Sequence, residues 1–141
     1  LLEAREGRIV QTSSVLGLVA MKYCGAYNAS KFALEGYSDT LRLELAGSGV
    51  HISLIEPGPI DTRFRANARA AFLRHIDPTR SRHQAAYQQT LNRLEREGGA
   101  RGFTLPSEAC LPPLIHALTS ARPKARYPVT TPTRIFALLR R

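Results

Sequence analysis

The chain has 141 residues, the usual size of one domain, and its 43% apolar and 22% charged residues are typical of a globular protein rather than a disordered one. No run approaches the roughly 20 apolar residues that span a bilayer, and the first residues lack a secretory signal pattern, so a cytoplasmic protein is expected. Residues 63–141 carry a net charge of +11 and residues 1–62 a net charge of −2, which gives +9 for the chain. The arginines are not interleaved with aromatic residues as in an RNA-binding face, so no nucleic-acid partner is expected.

The first half of the chain predicts a strand, a long helix and a second strand. Residues 7–13 are a short β-rich run after a turn signal and indicate a buried strand. Between residues 25 and 46, apolar residues recur at three- and four-residue steps, which indicates an amphipathic helix that two glycines terminate. Residues 50–56 indicate the second strand, which Pro57 ends. A helix that joins two parallel strands forms a right-handed βαβ unit, so an α/β sheet is expected.

The second half predicts a helical insertion followed by a return to the sheet. Residues 62–101 show no strand pattern and contain helical stretches such as residues 84–97, so we expect them to lie over the carboxyl ends of the strands. The remaining predicted elements are a helix that opens at residues 106–108, a short strand at residues 126–130 and a terminal amphipathic helix at residues 133–141.

Ser14, Tyr27 and Lys31 form the pattern with the clearest chemical meaning. Tyr27 and Lys31 are four residues apart and therefore share one face of the predicted helix. A phenol is a poor base at neutral pH, but a nearby ammonium stabilises its anion, so the pair suits proton transfer. Ser14 lies thirteen residues before Tyr27, at the carboxyl end of the first strand, where α/β folds gather their ligands. Its hydroxyl can hydrogen-bond a substrate oxygen, and the spacing selects it over the adjacent Ser13.

Three motifs together resemble the short-chain dehydrogenase/reductase family: Ser14, the pair Tyr27-x-x-x-Lys31, and Pro57-Gly58-Pro59-Ile60-Asp61-Thr62 after the second strand. The likeness is close over residues 7–62 and loose beyond them. It implies the carboxyl-terminal half of a Rossmann-type doubly wound parallel sheet with a helical insertion on the substrate side. The implied parts are an active-site and cofactor-binding core at residues 7–62, the insertion at residues 63–105, and a carboxyl-terminal helix, short strand and tail at residues 106–141.

The resemblance also implies a role for each matching residue in an NAD(P)-dependent oxidoreductase. Tyr27 is expected to be the general acid in carbonyl reduction and the general base in alcohol oxidation, while Ser14 orients the substrate oxygen. Lys31 is expected to hold the nicotinamide ribose hydroxyls and to stabilise the Tyr27 phenolate, so Tyr27 and Lys31 also serve the cofactor. The residues expected to hold the nicotinamide carboxamide are Pro57, Gly58, Ile60 and Thr62.

Several features that the family uses to bind the nucleotide do not occur in the sequence. They include the Gly-rich turn that takes the pyrophosphate and the residue that separates NAD from NADP. The chain also begins with Leu1 rather than methionine. The chain is therefore expected to be a fragment of a longer protein. The full-length protein is expected to catalyse the reaction, whereas the fragment alone is not. The choice between NAD and NADP stays open.

A weaker likeness concerns the substrate and the partners. The basic insertion and residues 123–130 resemble the family branch that acts on steroids and retinoids, so a lipophilic alcohol or ketone is expected, with small polyols and acyl-thioester ketones as alternatives. The family resemblance implies a homo-oligomer, and the basic segment at residues 134–141 could contact a membrane surface or a partner subunit.

A second hypothesis is a non-catalytic binding or regulatory protein of the same fold, with its basic half on an anionic surface. The intact trio of Ser14, Tyr27 and Lys31 argues against this hypothesis, because a binding protein has no need of it. The two cysteines and four histidines lack metal-ligand spacings, so no metal site is expected.

Overall fold

Helices and short strands alternate along the chain in this computed structural model, which describes residues 1–95 and 102–139. The α/β class predicted from the sequence is therefore confirmed. In chain order the elements are β1 (Gly7–Thr12), a 3₁₀ turn (Val15–Gly17), α1 (Gly25–Glu44), β2 (Val50–Glu56), β3 (Ile60–Asp61), α2 (Phe64–His75), a 3₁₀ turn (Pro78–Arg80), α3 (Gln84–Glu95), β4 (Leu105–Pro106), a 3₁₀ turn (Ser107–Cys110), α4 (Leu111–Thr119), β5 (Arg126–Pro128) and α5 (Thr131–Leu139).

Three strands form one parallel sheet in the order β1-β2-β5. The pairing of β1 with β2 runs from Gly7 opposite Val50 to Thr12 opposite Ile55. Strand β2 is central, and six of its seven residues are buried, including the polar Ser53 and Glu56. Because the strands run in the same direction, the loops that follow β1 and β2 meet at one edge of the sheet.

Helices cover the two opposite faces of this sheet. On one face, Ile55 and Tyr127 pack with Ala117 of α4 in a buried cluster. On the other face, Arg126 reaches α1 and pairs with Glu35. The chain moves across the sheet in one direction, from β1 to β2 and then to β5. Helix α1 of the first connection and helix α4 of the second lie on opposite faces, so the two connections have opposite hands. The right-handed rule for parallel units therefore holds for only one of them.

The side of α1 that faces the sheet is polar, whereas an amphipathic pattern normally buries its apolar side. Its buried residues are Asn28, Glu35 and Ser38. The apolar Phe32 and Tyr37, which lie on the predicted apolar face, are 40% and 59% exposed. Hydrogen bonds to Asn28 and an ion pair to Glu35 make this burial tolerable. The periodicity located the helix correctly but did not identify its buried face.

A two-residue parallel pairing was not predicted. Strand β3 follows the Pro-Gly-Pro segment and pairs with β4, with Ile60 opposite Leu105 and Asp61 opposite Pro106. The N–H of Leu105 also donates to the Pro59 carbonyl at 3.1 Å. Strands of two residues are too short to show period-two alternation in sequence. This pairing joins the segment just before the insertion to the end of the insertion.

The predicted helices of the second half are present, with some ends displaced. Helix α3 begins at Gln84, as predicted, and the predicted residues 96 and 97 lie outside the described residues. Helix α5 begins at Thr131, two residues before the predicted start, since Pro132 favours a first helical turn. The predicted tail residues 140 and 141 also lie outside the described residues. Over residues 1–95 and 102–139, no helix has the length and apolarity needed to cross a membrane.

Candidate active site

Ser14 lies just beyond the carboxyl end of β1. The N–H of Ser13 donates to the Ile55 carbonyl at 2.8 Å, which extends the β1–β2 pairing past Thr12. Ser14 follows with an extended backbone, and its Oγ accepts a hydrogen bond from the Leu16 N–H at 3.1 Å. A hydroxyl that accepts one bond can still donate another. The buried Ser14 side chain therefore both caps the following turn and keeps a hydrogen for a further acceptor.

Tyr27 and Lys31 lie one turn apart near the start of α1. The Lys31 Nζ is 5.7 Å from the centre of the Tyr27 ring and donates to the Thr12 carbonyl at 2.9 Å. This bond brings the ammonium to the end of β1, two residues before Ser14. Within the described residues it uses one of its three donors in this bond, so the side chain also suits ligand hydroxyls.

The loop after β2 packs against both the Ser14 loop and the end of the chain. The Val15 N–H donates to the Pro57 carbonyl at 2.8 Å. A Cβ on Gly58 would overlap Thr130 Oγ1 and lie 2.6 Å from Thr133 Oγ1. Both threonines are fully buried, and their hydroxyl oxygens are 2.9 Å apart. Glycine is therefore required at position 58 by close approach, and the loop has a fixed place beside the Ser14 loop.

Ile60 and Thr62 continue this loop into α2. Ile60 packs against the buried cluster on the sheet. The Thr62 Oγ1 accepts a hydrogen bond from the Phe64 N–H at 3.3 Å, at the point where α2 begins. The Phe64 ring centre lies 5.8 Å from that of Tyr27. The start of α2 is thus beside the phenol, and sequence reasoning missed Phe64 because nothing in the local pattern relates it to Tyr27.

Aromatic residues of the insertion lie against the loop that precedes α1. The Tyr23 ring centre is 6.1 Å from that of His83 and 6.3 Å from that of Tyr87, and Tyr87 meets Phe72 edge-on at 5.6 Å. We call Tyr23, Phe72, His83 and Tyr87 the aromatic wall. Tyr23 has a φ of 61°, a left-handed conformation that is uncommon outside glycine and is often found at functional sites.

An ion-pair network fixes α1 to the sheet one turn beyond Lys31. Arg126 of β5 donates to Glu35 at 3.0 Å and to both Asp39 carboxylate oxygens at 2.7 Å, and its Nε lies 3.2 Å from Glu56. Burial alone would raise the pKa of Asp39, but hydrogen bonds and charge from Arg126, together with Arg42, lower it. Burial alone would likewise lower the pKa of Arg126, but Asp39 and Glu35 raise it. The network sets the position of the helix that carries Tyr27.

The residues singled out in the sequence lie in the loops beyond the carboxyl-terminal edge of the sheet, in the short strand β3, or, for Tyr27 and Lys31, in the first turns of α1. Here a hydroxyl, a phenol and an ammonium accompany a tightly packed loop, a set suited to hydrogen bonding and proton transfer at a substrate oxygen. The residues concerned are Ser14, Tyr27, Lys31, Pro57, Gly58, Ile60 and Thr62.

Comparison with curated proteins gives a consistent set of relatives. The chain is 46% identical over 136 residues to the uncharacterized oxidoreductase YbbO of Escherichia coli (strain K12), which covers 96% of this chain and 44% of that protein. It is 33% identical over 150 residues to retinol dehydrogenase 16 of Mus musculus, covering 98% of this chain and 45% of that protein. The chain thus spans about half the length of the curated relatives it matches.

A solved structure and a family model lead to the same family. The crystal structure of a short chain dehydrogenase/reductase from Burkholderia phymatum in complex with NAD matches with a TM-score of 0.67 and 29% identity, covering 99% of this chain and 48% of that one. The model of the short chain dehydrogenase family matches residues 1–72, more than half of the chain. The Ser14, Tyr27 and Lys31 pattern lies within that match, and the chain belongs to the short-chain dehydrogenase family.

Proposed function

We propose that the full-length protein is an NAD(P)-dependent oxidoreductase that interconverts an alcohol and a carbonyl compound. The observation that carries this proposal is the position of the Lys31 Nζ, 5.7 Å from the Tyr27 ring centre and 2.9 Å from the Thr12 carbonyl. It places an ammonium between the phenol and the strand end that leads to Ser14. Membership of the short-chain dehydrogenase family supports the same reaction class.

Tyr27 is the proton-transfer residue in this proposal. Its hydroxyl donates a proton to the substrate oxygen in reduction and accepts one in oxidation. The Ser14 hydroxyl, held by its bond from the Leu16 N–H, donates to the same oxygen and stabilises the charge that develops there. Lys31 lies one helical turn from Tyr27, and its Nζ, 5.7 Å from the Tyr27 ring centre, places a positive charge beside the proton-transfer residue.

The described residues also fit the cofactor. Lys31 has ammonium donors suited to ribose hydroxyls, and the Pro57 to Thr62 loop is fixed by contacts on both sides. When bound, NAD(P) supplies the hydride in reduction and accepts it in oxidation. We assign the nicotinamide carboxamide to Pro57, Gly58, Ile60 and Thr62. In this proposal residues 7–62 are the catalytic and cofactor core, residues 63–105 the substrate side and residues 106–141 the carboxyl-terminal part.

We propose a lipophilic substrate of the steroid or retinoid kind. The aromatic wall lies against the loop between Ser14 and Tyr27, and Phe64 adjoins the Tyr27 ring. Aromatic faces of this kind favour apolar ligands with few polar groups. The name of one relative, retinol dehydrogenase 16, supports the same choice.

We also propose that the protein is a homo-oligomer. Leu111, Ile115 and Leu118 of α4 are 48–57% exposed, and exposed apolar residues of this number on one helix suit a subunit contact. Light scattering on the full-length protein tests this, and a monomer would contradict it.

Two further expectations stay predictions. Membrane contact through residues 134–141 is tested by co-sedimentation with vesicles, and a cytoplasmic location is tested by cell fractionation.

The proposed function is tested by following reduced-nicotinamide absorbance with the full-length protein and a panel of lipophilic alcohols and ketones. Tyr27→Phe removes one hydroxyl and keeps the ring, so kcat should fall by about 100-fold or more while cofactor binding is retained. Tyr37→Phe is the matched control, because this tyrosine lies on the same helix and is 59% exposed. Turnover that survives Tyr27→Phe, or cofactor binding without turnover on any substrate, would contradict the proposal.

A further inference from the structure

One buried amide connects the helix that carries Tyr27 to the loop that carries Ser14. Asn28 follows Tyr27 in sequence, and its side chain is only 7% exposed. Its Nδ2 donates to the carbonyls of Leu16 and Val19, each at 2.9 Å, and its Oδ1 accepts from the Met21 N–H at 3.2 Å. Both amide hydrogens and the amide oxygen of Asn28 are therefore used on the main chain of residues 16–21.

Two hydrogen bonds within the loop shape the turn that follows Ser14. The N–H groups of Leu18 and Val19 both donate to the Val15 carbonyl, at 3.0 and 3.2 Å. These bonds shape the turn after Ser14 but stay within it. Asn28 joins the turn to the helix, and it does so through two carbonyls and one N–H, a combination that a carboxylate or an apolar side chain cannot satisfy.

The bonds form a short chain between the two proposed catalytic hydroxyls. The Ser14 Oγ accepts from the Leu16 N–H, the Leu16 carbonyl accepts from Asn28, and Asn28 is covalently next to Tyr27. The bond to Met21 also fixes the loop two residues before Tyr23, which belongs to the aromatic wall. Both hydroxyls must reach one substrate oxygen, and a displacement of about 1 Å in such a site can cost about 100-fold in rate.

We propose that Asn28 is a positioning residue, which sets the distance between Ser14 and Tyr27 and the place of the aromatic wall. This inference rests on the proposed function, since it concerns the same reaction. Asn28 acts through its neighbours and need not touch the substrate. Lys31 is held separately, by its bond to the Thr12 carbonyl, so the proposed cofactor contact of Lys31 does not depend on Asn28.

The test compares Asn28→Ala and Asn28→Asp in the full-length protein. Asn28→Ala removes all three bonds. Asn28→Asp keeps the size and the acceptor for Met21 but turns an oxygen toward the two carbonyls. Thr40→Ala is the matched control, because within residues 1–95 and 102–139 the Thr40 hydroxyl bonds only to the Gly36 carbonyl of the same helix, at 3.1 Å on an exposed face. Active sites are counted by cofactor binding, so that kcat is expressed per competent site.

Both Asn28 variants should lower kcat per site by about 10- to 100-fold and raise the substrate KM, while the cofactor KM stays within about twofold of wild type. A residue needed only for folding would reduce the number of competent sites and leave kcat per site unchanged. If kcat per site stays within about twofold of wild type in both variants, the inference is overturned.

The two possible failures are distinguishable. An active wild type with an inactive Tyr27→Phe variant and normal Asn28 variants refutes the positioning role alone. An inactive wild type refutes the proposed function, and the positioning role with it. If neither Asn28 variant folds, hydrogen exchange in the wild-type protein decides: the Met21 amide should be protected, and exchange at the free-peptide rate would refute the contact on which the inference depends.

Discussion

Replacing Arg126 by methionine should destabilise the fold by about 3–5 kcal/mol at neutral pH. Its guanidinium lies 3.0 Å from the Glu35 carboxylate and 3.2 Å from that of Glu56, and both glutamates are fully buried. Methionine keeps much of the alkyl stem but removes the charge. The loss is larger than the net strength of the ion pairs, because buried negative charges remain where their cation has been removed.

The destabilisation should become smaller in acid. In the wild type, Arg126 and Arg42 outweigh burial and lower the pKa of Asp39 below its ordinary value of 3.8. A lowered pKa contributes stability that is present above the ordinary value and is lost as the pH falls through the folded-state value. Arg126→Met lacks the contribution of Arg126, so it has less of this stability to lose, and the two proteins should approach each other in acid.

Urea unfolding followed by circular dichroism, at about pH 7 and at about pH 2, below the ordinary pKa of Asp39, measures both effects. The matched control is Arg134→Met, because Arg134 is exposed and its Nε makes a long hydrogen bond of 3.4 Å to the Pro128 carbonyl. If Arg126→Met unfolds within about 1 kcal/mol of the control at both pH values, the network does not hold α1 to the sheet.

Three further experiments probe the site and its surroundings. Gly58→Ala should lower the free energy of unfolding by about 1–3 kcal/mol and weaken cofactor binding, because the new methyl group overlaps Thr130 Oγ1. Adding Thr130→Ala to the same chain should restore part of the stability and part of the cofactor affinity, both measured by calorimetry. If neither is restored, the contact is refuted. Tyr23→Ala should raise the KM for lipophilic substrates, whereas Tyr23→Phe should leave it unchanged. If the KM of Tyr23→Ala equals that of the wild type, the aromatic wall is not part of the substrate site. Burial raises the pKa of the Cys110 thiol, so iodoacetamide should modify it more slowly than free cysteine, as mass spectrometry can follow.

The predictable parts of the structure were those encoded within a short stretch of sequence. The bounds of β2 matched the predicted strand because Gly49 and Pro57, which disfavour a regular strand, stand on either side of it. The four-residue spacing of Tyr27 and Lys31 placed both on one helix face, and the end of β1 placed Ser14. The catalytic roles of these residues stay predictions until activity is measured.

The remaining features depend on partners that are distant in sequence. Glu35 could be recognised as buried only through Arg126, which lies 91 residues further along the chain. The burial of Asn28 was also not predictable, although its partners are closer in sequence. Its side chain makes three hydrogen bonds to a loop whose conformation the sequence periodicity does not predict. Polar residues on a helix are ordinarily assigned to its solvent side, so the buried face of α1 was not predicted.

The aromatic wall was not predictable for a related reason. Tyr23 belongs to the loop before α1, whereas His83 and Tyr87 belong to the insertion, and no local pattern relates the two segments. The pairing of β3 with β4 escaped detection because each strand has only two residues. Both features concern how the insertion lies over the sheet, which is the least local part of the fold.

The most direct test of the central claim follows a deuterium label. The full-length protein would be given reduced nicotinamide cofactor deuterated at the transferring carbon together with a carbonyl substrate, and the product would be analysed by mass spectrometry and NMR. The account predicts one deuterium on the carbinol carbon of the product, with the label transfer lost in Tyr27→Phe and kept in Tyr37→Phe. Product formed without the label, or equal transfer by Tyr27→Phe, would contradict it.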